Sequence, residues 1–121
     1  MQEIRETYIE RIYELKNKKG YVKTVDLAKE LDVKPSSVTE MLQKLADEGY
    51  VIYEKYRKID LTEKGLNLAR ALERRHKAIK KLLMYIGVSE EIADKDACVI
   101  EHVLSKESVD KIIEFADKIK V

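Results

Sequence analysis

Apolar residues recur at helical spacing through most of the chain. Ile4, Tyr8, Ile12 and Leu15 share one side of a 3.6-residue repeat, which predicts a helix over residues 3–17. Lys18-Lys19-Gly20 ends it, with glycine suited to the left-handed closing position. After a short extended piece, Tyr21-Val22-Lys23, Thr24 stands where an N-cap belongs, and residues 25–31 read as a two-turn helix. Asp32-Val33-Lys34 form a tight turn. Pro35 opens the next helix, because its missing N–H is no loss in a first helical turn. That helix turns Val38, Met41, Leu42 and Leu45 inward and stops at Gly49.

The pattern then changes. Residues 50–54 and 58–62 are rich in β-branched and aromatic side chains and read as two strands around a basic tip, Lys55-Tyr56-Arg57. Thr62 caps a long helix that carries Leu66, Ala69, Leu72, His76, Ile79 and Leu83 to about Tyr85, and Gly87 breaks the chain. Ser89 caps a further helical segment through roughly Leu104, with a break expected near Asp94-Lys95. Ser105 caps a last helix whose apolar face is Val109, Ile112, Ile113, Ala116 and Ile119.

With 121 residues, 45% hydrophobic and 39% charged, the chain has material for one domain or two closely packed subdomains. No run of 18 apolar residues is present, and the charged start lacks an apolar signal-peptide core, so no membrane association is expected. A single cysteine, Cys98, cannot close an internal disulfide, which points to a reducing cytoplasm. The net charge of +1 hides an uneven distribution. Residues 1–49 carry −1, residues 50–85 carry +6 and residues 86–121 carry −4. A basic middle suggests a polyanionic partner.

Helix, short helix, three-residue turn, helix and hairpin is the element order of a winged helix-turn-helix. A recognition helix packs one side on its domain and keeps the other polar for the major groove. Here the outward side offers Ser36, Ser37, Thr39, Glu40, Gln43 and Lys44, groups able to meet base edges or phosphates, while Pro35 suits a thymine methyl. Lys55, Tyr56 and Arg57, with Lys58 beside them, suit the phosphate backbone and set affinity and salt dependence. Any one of these residues reads equally well as a solvated surface group. Their ordered combination is what points to double-stranded DNA.

A second set of residues has metal-ligand chemistry. Cys98, Glu101 and His102 fall at i, i+3 and i+4, which places sulfur, carboxylate and imidazole on one face of a helical turn. His76, in the middle of the preceding helix, and Glu10 on the first helix are further donors. A buried free cysteine and packed histidines produce the same pattern without a metal, and spacing alone leaves both readings open. A single thiolate favours an exchangeable ion over a structural zinc.

Several of these segments resemble one family. Lys34-Pro35-Ser36-Ser37-Val38-Thr39 with Met41-Leu42-Gln43-Lys44-Leu45, the wing residues 52–57 and 61–65, Tyr8-Ile9-Glu10-Arg11-Ile12-Tyr13 and Ile100-Glu101-His102-Val103-Leu104-Ser105 are similar to the diphtheria-toxin-repressor family of metal-dependent transcriptional regulators. The likeness is greatest to its manganese transport regulators, in a short form without the SH3-like domain. It implies a mainly α protein, with a winged helix-turn-helix over residues 1–70 and a helical metal-binding and dimerisation domain over residues 71–121. It implies Glu10, His76, Cys98, Glu101 and His102 as ligands of a co-repressor metal, and a homodimer, joined through C-terminal helices, on a palindromic operator. Thr7 departs from the pattern, standing where a stronger ligand is expected. Cys98 replaces the carboxylate of the manganese branch, and Lys80 and Asp94 differ from the ancillary donors of the iron branch. The thiolate leans toward Fe(II) over Mn(II), with Zn, Co or Ni as ions taken up in vitro. An enzyme is not expected, since no phosphate-cradling glycine loop, nucleophile with an adjacent base or paired-carboxylate acid is evident. The rival expectation is a winged-helix regulator that responds to a non-metal ligand or to oxidation of Cys98.

Overall fold

The computed structural model describes residues 2–54 and 58–119, and the basic tip Lys55, Tyr56 and Arg57 lies outside the described residues. The chain divides into two units, Met1–Ala69 and Arg70–Val121. The first unit holds α1 (Gln2–Lys19), α2 (Thr24–Leu31), α3 (Pro35–Asp47), β1 (Val51–Glu54) and β2 (Lys58–Leu61), followed by the start of α4 (Glu63–Tyr85). The second holds the rest of α4, α5 (Glu90–Ile100) and α6 (Lys106–Lys118).

In the first unit the amphipathic helices close on one core. α1 contributes Tyr8, Ile9, Ile12 and Leu15, α2 contributes Leu27, and α3 contributes Val38, Leu42 and Leu45, with Met41 half-buried beside them. Ile4 does not join this stripe: it is exposed, and Ile9 takes the inward position, because the centre of the face falls between residues 8 and 9. Thr24 begins α2 rather than capping it. The cap position is the extended Lys23, which makes no side-chain bond and whose carbonyl accepts from the N–H of Asp26 and Leu27 at 3.0 and 3.1 Å. The link from α2 to α3 is tight because Asp32 takes the left-handed conformation (φ 54°), which Asp tolerates better than most residues, and Val33 N–H donates back to Ala28 O at 3.0 Å.

β1 and β2 pair antiparallel, Val51 opposite Leu61 and Tyr53 opposite Ile59, with Val51 and Ile59 buried against the helices. Each strand is a residue shorter than the pattern suggests. Tyr50 N–H is spent on Leu45 O at the end of α3, and Thr62 turns to cap α4. The Thr62 hydroxyl accepts from Gly65 N–H at 3.1 Å and donates to Gly49 O at 2.6 Å, tying three elements at one point.

In the second unit α5 runs without a break through Asp94-Lys95, so the expected interruption is absent. The helix also ends earlier than expected, at Ile100. Beyond it the bonds tighten to i−3, His102 N–H to Val99 O and Val103 N–H to Ile100 O, and the chain turns before Ser105. Ser105 then caps α6, accepting from Ser108 N–H at 3.2 Å. Leu72, Ile79, Ala93, Ala97, Val109 and Ala116 are buried, while Ile112 and Ile113 are half-buried. No helix among the described residues is long and apolar enough to cross a membrane.

Candidate functional site

The outward face of α3 carries the side chains suited to a groove. Pro35, Ser36, Ser37, Glu40, Gln43 and Lys44 are exposed, opposite the buried Val38, Leu42 and Leu45. Thr39 is half-buried and its hydroxyl donates to Pro35 O at 3.1 Å, which leaves its lone pairs to face outward. An open cleft between the start of α2 and the hairpin is flanked by Lys23, Thr24 and Lys58. Lys23 holds the cap position of α2 and Thr24 is its first residue.

The second unit brings together four of the five metal-ligand candidates. α4 presents His76, α5 presents Cys98, and the turn after α5 presents Glu101 and His102. Glu101 is only 1% exposed, and a carboxylate so deeply buried requires positive partners. Its Oε2 lies 3.3 Å from His76 Nδ1, and its Oε1 lies 3.2 Å from His102 Nε2. Cys98 Sγ lies 3.8 Å from the same His76 Nδ1. Glu101 still follows α5 as its αR cap, its N–H donating to Ala97 O at 3.1 Å, so Cys98 and Glu101 keep the expected i, i+3 face, and His102 falls in the tightened turn beyond it. His76 meets the first two from across the unit in sequence.

The electrostatics follow. His76 is pushed up to about 9 from the ordinary imidazole value, first by its hydrogen bond to Glu101, against the opposing effect of burial, and then by Asp94. Asp94, whose Oδ1 accepts from His76 Nε2 at 2.8 Å, is held below the usual carboxylate range chiefly by that imidazole and further by Lys80. The residue pattern did not single out Asp94 as a functional group. Its signal was the i, i+4 relation to Cys98 on α5.

These donors fit a metal ion. With typical bond lengths to nitrogen, oxygen and sulfur, a tetrahedral ion separates nitrogen from oxygen by about 3.4 Å and nitrogen from sulfur by about 3.6 Å. The separations at His76 Nδ1 are 3.3 and 3.8 Å. A dication would supply the positive charge that a proton on Nδ1 otherwise gives to Glu101. Glu10 belongs to α1 of the first unit, where it is half-buried. Thr7 has its hydroxyl engaged with the backbone of its own helix, donating to Glu3 O at 2.8 Å.

Comparison with known proteins agrees with both halves. Residues 1–59 match the N-terminal DNA-binding domain of the iron-dependent repressors, and residues 62–121 match their metal-binding and dimerisation domain. The HTH-type transcriptional regulator MntR of Lysinibacillus sphaericus is 47% identical over 116 residues, which cover 96% of this chain and 81% of that protein. Among solved structures, the manganese regulator SloR superposes with a TM-score of 0.80 at 31% identity, covering 97% of this chain and 55% of its own. IdeR of T. acidophilum gives 0.78 at 32% identity, covering 91% and 52%. The chain therefore spans most of the curated relative but about half of each of these two solved regulators, all of which are transcriptional regulators and none an enzyme. Through both of its domains, the chain belongs to the iron-dependent repressor family of metal-dependent transcriptional repressors.

Proposed function

We propose that a divalent transition metal, Fe(II) or Mn(II), is the co-repressor of this chain and that it is held by His76, Cys98, Glu101 and His102, with Glu10 completing the set. The observation that carries this reading is the buried Glu101 carboxylate placed between two imidazoles, with the Cys98 sulfur beside one of them. Glu10 enters on its carboxylate donor chemistry and on the family resemblance, and Thr7 is a weak neutral donor at most. A bound ion supplies positive charge and fixed geometry to donors that otherwise rely on protons. The thiolate favours Fe(II) over Mn(II), and Zn(II), Co(II) and Ni(II) are expected to bind in vitro.

Glu10 lies in the DNA-binding half of the sequence and the other donors in the second half, so an ion taken up by all of them acts as a crosslink. It favours the arrangement in which a homodimer, joined through its C-terminal helices, sets two α3 helices about one DNA turn apart, roughly 34 Å, on a palindromic operator in the cytoplasm. Pro35, Ser36, Ser37, Thr39, Gln43 and Lys44 face the bases and nearby phosphates, and Lys55, Tyr56 and Arg57 add the charge of the wing. A coupling of about 1–3 kcal/mol is enough for a graded switch.

The test is fluorescence anisotropy on a palindromic duplex, selected from random DNA with metal-loaded protein, with and without chelator at constant salt. Metal is expected to raise affinity about 5- to 150-fold. The variants His102→Ala and Glu101→Gln should lose that gain while binding DNA as the stripped protein does. Equal affinity for stripped and loaded wild type would end the proposal.

A further inference from the structure

His76 is gripped from both sides, and the two sides have different chemistry. Its Nδ1 faces Glu101 at 3.3 Å and the Cys98 sulfur at 3.8 Å, while its Nε2 faces Asp94 at 2.8 Å. The donor atoms of His76, Asp94 and Cys98 come within 4.8 Å of one another, which on distance alone admits an ion bound by all three. Chemistry separates them. Two ligands of one tetrahedral ion sit about 3.4 Å apart, whereas 2.8 Å is the length of a charge-assisted hydrogen bond. The ring nitrogens also point in diverging directions, so an ion seated on Nδ1 faces away from the carboxylate on Nε2.

We propose that Asp94 is a positioning residue of the metal centre: by accepting from His76 Nε2–H it fixes the ring so that Nδ1 is the ligating atom, turned toward Glu101 and Cys98. The inference rests on the metal reading above and deepens it. A carboxylate behind a ligating imidazole settles which nitrogen carries the proton and makes the other a better donor. Asp94 is itself held. Lys80 Nζ lies 3.5 Å from its Oδ1 and 3.6 Å from Glu90 Oε1. The sequence builds this as a grid: His76 and Lys80 stand one turn apart on α4, and Asp94 and Cys98 one turn apart on α5. Each helix thus contributes one ligand and one support. Asp94 is half exposed, so its replacement leaves little unsatisfied in the interior.

The experiment is Co(II) titration of the full chain, against a competing chelator, for wild type, Asp94→Ala and Asp94→Asn. Wild type should bind Co(II) with a thiolate-to-metal charge-transfer band from Cys98. Asp94→Ala should bind about 10- to 100-fold more weakly. Asp94→Asn keeps an oxygen acceptor for Nε2–H and should recover most of that loss. In Zn(II)-loaded wild type, 15N NMR should show the His76 proton on Nε2. Wild-type affinity in Asp94→Ala, or a proton on Nδ1, overturns the positioning role. Equal losses in the Asn and Ala variants overturn it too, because they make Asp94 a ligand. If Asp94→Ala does not fold, the Asn variant and the NMR assignment still decide. Absence of stoichiometric Co(II) binding by wild type instead overturns the metal reading itself.

Discussion

Gly65 stands third in α4, where an added Cβ would collide with the Tyr50 carbonyl oxygen and crowd the Leu61 side chain. Nothing flexible can give way, because Tyr50 O already accepts from Thr62 N–H in the knot that joins α3, the hairpin and α4. Gly65→Ala is therefore expected to cost about 3 kcal/mol in chemical denaturation, and a loss under about 0.5 kcal/mol would show that the approach is not tight. His76 gives a prediction in pH. With its folded value raised to about 9, the stabilisation it draws from Glu101 and Asp94 is complete below its ordinary value near 6.5 and disappears as pH rises through about 9. The proton behind that stabilisation competes with a metal for Nδ1. Metal affinity measured against a chelator should climb with pH between 7 and 9, by up to about tenfold per unit, and then level off. A flat profile over that interval would mean that His76 gives up no proton to the ion.

At the scale of elements, α3 separates stability from recognition on its two faces. Leu42 is fully buried, and Leu42→Ala should destabilise the first unit by about 2–5 kcal/mol. Gln43, its exposed neighbour, should tolerate Ala with an unchanged melt. The same change should cost about 1–3 kcal/mol in operator binding, confined to one base position, whereas Lys44→Ala should weaken all duplexes alike and reduce the salt slope. A uniform loss for Gln43→Ala would place it on a phosphate. These faces were legible because a 3.6-residue period is a local property of the chain, and the same holds for the Pro35 start, the Ser105 cap and the α4 span. The errors arose where local signals compete. Asp94-Lys95 looked like a break only while the partner of Asp94 was unknown, and its carboxylate reaches across to His76 instead of disturbing its own helix. Spacing placed Cys98, Glu101 and His102 on a common helical face; Cys98 and Glu101 keep it through the αR cap of α5, His102 enters the tighter turn, and the imidazole that meets the first two is more than twenty residues away. No periodicity encodes that encounter. The chemistry of the site was readable as a set of residue types, and so was the shared face of Cys98 and Glu101; the approach of His76 was not.

At the scale of the whole molecule, the second unit buries several small residues beside Leu72, Ile79 and Val109 and leaves a set of large apolar ones outside. Ala78, Ala93, Ala97 and Ala116 are buried, while Tyr85, Ile86, Ile92, Val99, Val103 and Phe115 are exposed, Val99 at 65%. On α5 the two sets are interleaved: Ala93 and Ala97 face inward, and Ile92 and Val99, two turns apart, face outward. A unit of this size buries too little apolar surface to stand easily alone, and exposed aliphatic stripes of this kind mark association surfaces. A second copy of the chain is the partner that the dimerisation-domain match supports. Val99→Glu places a charge in that surface without touching the buried alanines, so the monomer should still fold. Sedimentation should then show a monomer where wild type gives a dimer. Operator affinity should fall about 10²- to 10⁴-fold, because the second half-site is no longer held close by the first. Co(II) binding should not weaken, since the His76 donors lie within one chain. A Val99→Glu protein that sediments as a dimer and still binds the full palindrome would move the interface elsewhere. A variant that loses metal together with the dimer would show instead that the ion is held only in the assembled pair.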